Sequence, residues 1–218
     1  MARLAAWPQR SVNAGPGRFL QPIDESDQMR AHSVLASCLL CTSLVAGCAG
    51  GERSPGRDPD TVARGSYLVT LGGCHDCHTP KIFTPAGPVR DTTRLLAGHP
   101  AEWKVPPIPS GVLGPQGWGA LVAADLTAWA GPWGVSFTAN LTPDATGLGS
   151  WTADQFIQTM RTGKHLGVGR PILPPMPWYD IGQLTDDDLR AVFAYLRTLK
   201  PVQNAVPAPL PPAGATPK

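Results

Sequence analysis

Residues Cys74-His75-Asp76-Cys77-His78 form a C-x-x-C-H. Two Cys three apart at a helix end put both sulfurs on one side, where they can bond the two vinyl groups of one haem. The next residue, His78, then reaches the iron through a neutral imidazole nitrogen. The chain has only five Cys and five His in 218 residues, so chance order seldom builds this pattern. Three other chemistries use the same residues. A redox dithiol usually sits ahead of a helix in a βαβ unit, whereas this pair follows a helical pattern and two Gly. Zinc needs four ligands, and neither His99 nor His165 has paired spacing to complete the set. A disulfide between Cys74 and Cys77 is the third alternative in an exported protein.

A haem held this way needs a sixth ligand, or an open position that binds a gas or peroxide. Met160, Met176, His99, His165 and His75 are the candidates. Met160 follows Phe156 by four on an apolar helical stripe and reads as core. His75 should point away from the site that His78 serves. Met176 lies in Arg170-Pro-Ile-Leu-Pro-Pro-Met-Pro-Trp178. Three Pro around a Met make a stiff, extended loop that can hold a thioether against iron without a helix or strand. Met176 is therefore the expected axial ligand. A Met that merely fills a gap, ligation by His165, or an open site are the alternatives.

Three helices must position these residues. The first is predicted from about Thr61 to Leu71, with Tyr67 and Leu71 on one face and Gly72-Gly73 as its stop. The second begins at Thr152, with Gln155 completing a capping box. Phe156, Ile157 and Met160 form its apolar stripe, and Gly163 ends it. The third starts at Thr185, where Asp186, Asp187 and Asp188 suit the positive end of the helix dipole. Leu189, Val192, Phe193, Leu196 and Leu199 follow at helical spacing before Lys200 and Pro201 close it. Between the first two lies Thr79 to Ser150, rich in Gly and Pro and holding Trp103, Trp118, Trp129 and Trp133. A stretch this long is expected to wrap a large apolar ligand, or else to contain short strands with no readable period.

Composition narrows the class. With 24 Gly, 25 Pro, 42% hydrophobic and 16% charged residues, the chain is too apolar for disorder and too Pro-rich for a helical bundle. The net charge is +2 and no run of Lys or Arg appears, which argues against nucleic acid as a partner. No apolar stretch reaches the roughly 18 residues of a membrane-spanning helix.

The front of the chain reads as a processing segment. Residues 1–28 do not fit a signal peptide and read as a misassigned extension, with synthesis expected to start at Met29. Residues 29–47 read as a signal, with Arg30 and His32 ahead of an apolar run from Val34 to Val45. The run closes on Leu44-Val45-Ala46-Gly47-Cys48, which resembles a bacterial lipobox and implies lipid modification of Cys48. Cys38 and Cys41 would leave with the signal. Residues 48–59 read as a flexible tether, 60–206 as the folded domain, and 207–218 as a Pro-rich, mobile tail.

The Gly65-x-Tyr67-Leu68 helix, the Cys74–His78 motif and the Pro-Pro-Met176-Pro-Trp178 loop together resemble a class I cytochrome c. Asn140-Leu-Thr-Pro-Asp144, Thr146-Gly-Leu-Gly149, Phe156-x-x-x-Met-Arg161-x-Gly163 and the Asp187-Asp188-Leu189 to Tyr195-Leu196 helix look similar to single-haem domains of bacterial periplasmic cytochromes. The resemblance implies a mainly α cytochrome c fold around one covalently bound haem c, with a long Gly/Pro/Trp-rich loop inserted. It implies a close crossing of the first and third helices, with Gly65 at the contact and Tyr195 nearby. It also implies a backbone carbonyl that orients His78, for which Pro88 is a candidate, and haem-propionate contacts from Asn140, Trp151 and Arg161. The expected role is a one-electron carrier, not an enzyme, on the periplasmic side of a membrane. It would be lipid-anchored and serve redox protein partners, including as a subunit of a dehydrogenase or oxidase complex. A haem enzyme or gas binder with an open sixth site, or a haem-free dithiol or zinc module, is the alternative.

Overall fold

The computed structural model describes residues 58–212. The expected extension, signal, lipid-bearing Cys48 and most of the tether lie outside the described residues, as does the chain end from 213 to 218. Eleven short elements follow in order: α1 (Pro59–Leu71), α2 (Cys74–His78), β1 (Lys81–Thr84), β2 (Gly87–Arg90), β3 (Leu121–Val122), β4 (Ala128–Gly131), β5 (Gly134–Phe137), α3 (Ala153–Thr162), a 3-10 turn (His165–Gly167), α4 (Trp178–Ile181) and α5 (Asp186–Leu196).

Capping explains where the three long helices begin. Pro59 opens α1, and the Asp58 carboxylate accepts from Thr61 N at 3.0 Å. At α3 both halves of the capping box form. Gln155 N donates to Thr152 Oγ1 at 3.2 Å, and Thr152 N donates to Gln155 Oε1 at 3.0 Å. Thr185 caps α5 by accepting from Asp188 N at 3.1 Å. This helix ends at Leu196, ahead of the expected Lys200-Pro201 stop, yet Leu199 still packs against the core.

The apolar faces of α1, α3 and α5 meet in one core of Leu68, Val69, Phe156, Ile157, Met160, Leu189, Val192, Phe193 and Leu196, joined by Leu96 and Leu148. Met160 is thus core, as its helical stripe implies. The Phe156 and Phe193 rings pack with centroids 5.6 Å apart. Helices α1 and α5 touch through backbone. A Cβ on Gly65 would land on the Ala191 carbonyl, and it would also meet Tyr195 Cβ at 2.8 Å. Arg64 of α1 forks onto Asp188 of α5 at 2.8 and 3.2 Å. That pair is solvent-facing, so it aligns the helices more than it stabilises them.

The stretch between α1 and α3 is not one loop. Strands β1 and β2 form an antiparallel hairpin in the register Lys81↔Arg90 to Thr84↔Gly87. Strands β3, β4 and β5 form a second antiparallel sheet, with Leu121↔Ala130 and Ala128↔Phe137 as partners. Beside its helices the domain therefore carries two small antiparallel sheets. These strands run two to four residues and carry Gly and Pro, too short for alternation to register as a pattern.

The last segment is extended but held. Leu210 and Val135 exchange backbone hydrogen bonds at 2.8 and 2.9 Å, so a mobile tail beyond Val206 is not what the described part shows. Upstream, the buried Asn204 amide donates to Ala97 O at 2.7 Å and His99 O at 2.9 Å, and its oxygen accepts from Ala101 N at 2.9 Å. Asn204→Ala would leave those three backbone groups without their partner. The expected loss is about 2–4 kcal/mol of unfolding free energy, read from urea unfolding curves. A change under about 0.5 kcal/mol would mean that water replaces the amide.

Candidate functional site

Helix α2 carries the C-x-x-C-H. Gly73 enters it in the left-handed region (φ 62°, ψ 24°), which lets the chain turn sharply out of α1. Cys74 and Cys77 are three apart on this single turn, half-buried and not joined to each other. Burial pushes both thiols up from their ordinary value, and the Asp76 carboxylate adds to the rise. They are therefore thiols at neutral pH, the reverse of the depressed thiolate that a redox dithiol needs. Among the described residues, no three His, Cys, Asp or Glu side chains gather as a zinc site requires.

His78 is 8% exposed. Its Nδ1 donates to Ala139 O at 2.8 Å, while its own carbonyl accepts from Gly98 N at 2.8 Å. Burial lowers its pKa and keeps the ring neutral. With the proton fixed on Nδ1, the lone pair stands on Nε2, the arrangement that a metal-ligating imidazole takes. The orienting carbonyl is Ala139, not Pro88; Pro88 is exposed on β2, opposite Phe83. Both anchors of His78 come from the stretch between α1 and α3. One residue before Ala139, the Thr138 hydroxyl is buried with no partner among the described residues.

The other candidates separate clearly. His75 Nδ1 pairs with Thr79 Oγ1 at 2.9 Å, and His99 is buried with Nδ1 on Thr127 Oγ1 at 2.7 Å and Nε2 near Trp103 O. His165 is exposed, and its ring meets the Trp151 ring edge-on at 5.0 Å. Met176 is half-buried and packs against the helical core, as do Cys74 and Trp151. The strip that carries it is fixed at both sides: Ser136 Oγ donates to Pro174 O at 2.6 Å, and Trp178 N to Met176 O at 2.9 Å. Pro at 171, 174, 175 and 177 leaves this strip few donors, so its conformation rests on those outside contacts.

Two of the three expected propionate residues do structural work. Asn140 is buried, donating from Nδ2 to Val202 O at 2.9 Å and accepting at Oδ1 from Thr142 N and Oγ1. Arg161 donates to Gly182 O and to Asp186 Oδ1, tying α3 to the start of α5. Trp151 remains at the core edge. Ala139 and Gly98 give no side-chain signal in the sequence, because they act through backbone groups from 61 and 20 residues away.

Two protonated thiols on one helical turn and a neutral imidazole with one nitrogen left open suit a haem fixed by two thioethers. No family model matches the chain. Curated proteins do. It is 32% identical, over 68% of its length, to the cytochrome c subunit of the quinone-type alcohol dehydrogenase of Gluconacetobacter polyoxogenes, of which it covers 26%. It is 28% identical over 67% of its length to the fructose dehydrogenase cytochrome subunit of Gluconobacter japonicus, covering 23% of that protein. It is 27% identical over 66% of its length to the gluconate 2-dehydrogenase cytochrome c subunit of Pantoea cypripedii, covering 24%. The chain thus spans about a quarter of the length of these relatives. Its similarity is to the cytochrome subunits of dehydrogenases.

Proposed function

We propose that the protein is a single-haem cytochrome c of class I fold that carries one electron at a time in a dehydrogenase-linked respiratory chain on the periplasmic side. The observation that supports it most is His78, neutral, buried and locked on Ala139, directly after two free thiols on one helical turn. The haem would supply an iron that alternates between two oxidation states. The chain supplies everything else. Cys74 and Cys77 would hold the haem covalently, and His78 Nε2 and Met176 Sδ would be its iron ligands. The apolar core edge with Trp151 keeps water away and favours the less charged, reduced state. Lipid on Cys48 would keep the domain near its membrane partners. Basic and acidic residues after Cys48 nearly cancel at 14 and 13, so docking would rely on short-range contact more than on long-range steering.

A reduced-minus-oxidised visible spectrum of protein matured with a haem-attachment system tests the reading. A six-coordinate, Met-type spectrum with slow carbon monoxide binding is expected. Rapid carbon monoxide binding to the reduced protein would instead show an open site and favour a haem enzyme or gas binder.

A further inference from the structure

We propose that Lys81 positions the thiol-bearing helix α2, and that its fixed positive charge, opposed by Asp125, sets how readily the bound haem accepts an electron. The proposal rests on the haem reading above.

Lys81 is 8% exposed, a level that lysine reaches almost only when its charge is matched. Its Nζ donates to Thr79 O at 2.5 Å, Asp76 O at 2.8 Å and His75 O at 3.3 Å. Three acceptors need three protons, which an ammonium has and a neutral amine lacks. The three carbonyls belong to α2 and its C-cap Thr79, an end where a cation suits the helix dipole; the His75 carbonyl also accepts from Thr79 N at 3.3 Å. A five-residue helix cannot sustain itself in water, so this cap and the Ala139–His78 bond are what hold the motif in shape.

The charge has counterparts. Burial lowers the Lys81 pKa, while Asp76 and Asp125 act to raise it, Cys77 raises it less, and Arg90 lowers it. Asp76 is already paired with Arg90 at 3.1 Å on the surface. Asp125 is buried in the β3–β4 turn, where its carboxylate accepts from Thr127 Oγ1 and, at 3.4 Å, from Thr127 N. Thr127 in turn meets His99. No direct ion pair joins Lys81 to either carboxylate among the described residues. Reduction adds one negative charge to the iron. A buried cation beside the helix that holds its ligand favours that step, and a buried carboxylate opposes it; salt screens both poorly.

Redox titration of the haem-loaded wild type, Lys81→Met, Lys81→Arg and Asp125→Asn decides the matter. Lys81→Met should lower electron affinity by about three- to tenfold, tenfold being about 59 mV for one electron. Asp125→Asn should raise it, Lys81→Arg should stay near wild type, and the shifts should persist at high salt. Purely structural roles would lower thermal stability in both neutral variants without opposite potential shifts. If Lys81→Met yields no haem-loaded protein, Asp125→Asn alone decides: a rise supports the proposal and an unchanged or lower value overturns it. An unmoved potential in a coloured Lys81→Met protein also overturns it and leaves the haem reading intact. A colourless wild type removes the haem reading, and this proposal with it.

Discussion

Met176→Ala is expected to yield protein that still carries covalent haem but has lost its sixth ligand. The reduced form should then bind carbon monoxide rapidly, and the reduction potential should fall on the order of 0.1 V or more, within the roughly 0.8 V range that axial ligation spans. Thioether ligation favours the reduced iron, so removing it shifts the balance to the oxidised form. Alanine cannot reach from a strip braced at Ser136 and Trp178, and the Pro residues on either side prevent an easy collapse toward the gap. A gap-filling Met predicts something else. Losing a half-buried thioether from the core edge would cost about 2–3 kcal/mol of stability and leave the spectrum unchanged. The two outcomes lie on different measurements, so one variant separates them.

Gly65→Ala should damage the scaffold severely. Alanine is a better helix former than glycine by about 1 kcal/mol, so propensity alone favours the substitution. Contact opposes it. The new methyl would overlap the Ala191 carbonyl and crowd Tyr195 Cβ at 2.8 Å, and backbone cannot rotate away as a side chain can. Helices α1 and α5 must separate, which loosens Leu68 and Val69 against Leu189 and Val192. A net loss of about 3 kcal/mol is expected, or roughly 10 °C in melting temperature for a domain of this size. Haem attachment should fall as well, because α2 leaves directly from the end of α1. A melting temperature within about 2 °C of wild type would show that the α1–α5 crossing tolerates a wider gap.

What could be read from the sequence was what is local. Thr152 with Gln155, Thr185 with its three Asp, and Gly163 each act within four residues, so they mark helix ends directly. Cys74, Cys77 and His78 are legible for the same reason: their spacing is itself the geometry. The orientation of His78 was not legible, because its partner is a carbonyl and every residue has one. Nor did the positions of Asn140 and Arg161 signal their protein partners: Asn140 bonds Thr142 and Val202, and Arg161 bonds Gly182 and Asp186. Helix α4 and the five strands are too short for a hydrophobic period, so only tertiary contacts define them. Lys81 carries no sequence signal either, since its three acceptors are backbone oxygens.

The proposed function stands on one haem joined through Cys74 and Cys77 beside His78. Mass spectrometry of the proteolytic peptide spanning residues 74–78, from protein matured in cells that attach haem, tests it most directly. The peptide should gain the mass of one haem, with neither Cys available to alkylation. A peptide of unmodified mass, its two Cys free or joined to each other, would contradict it.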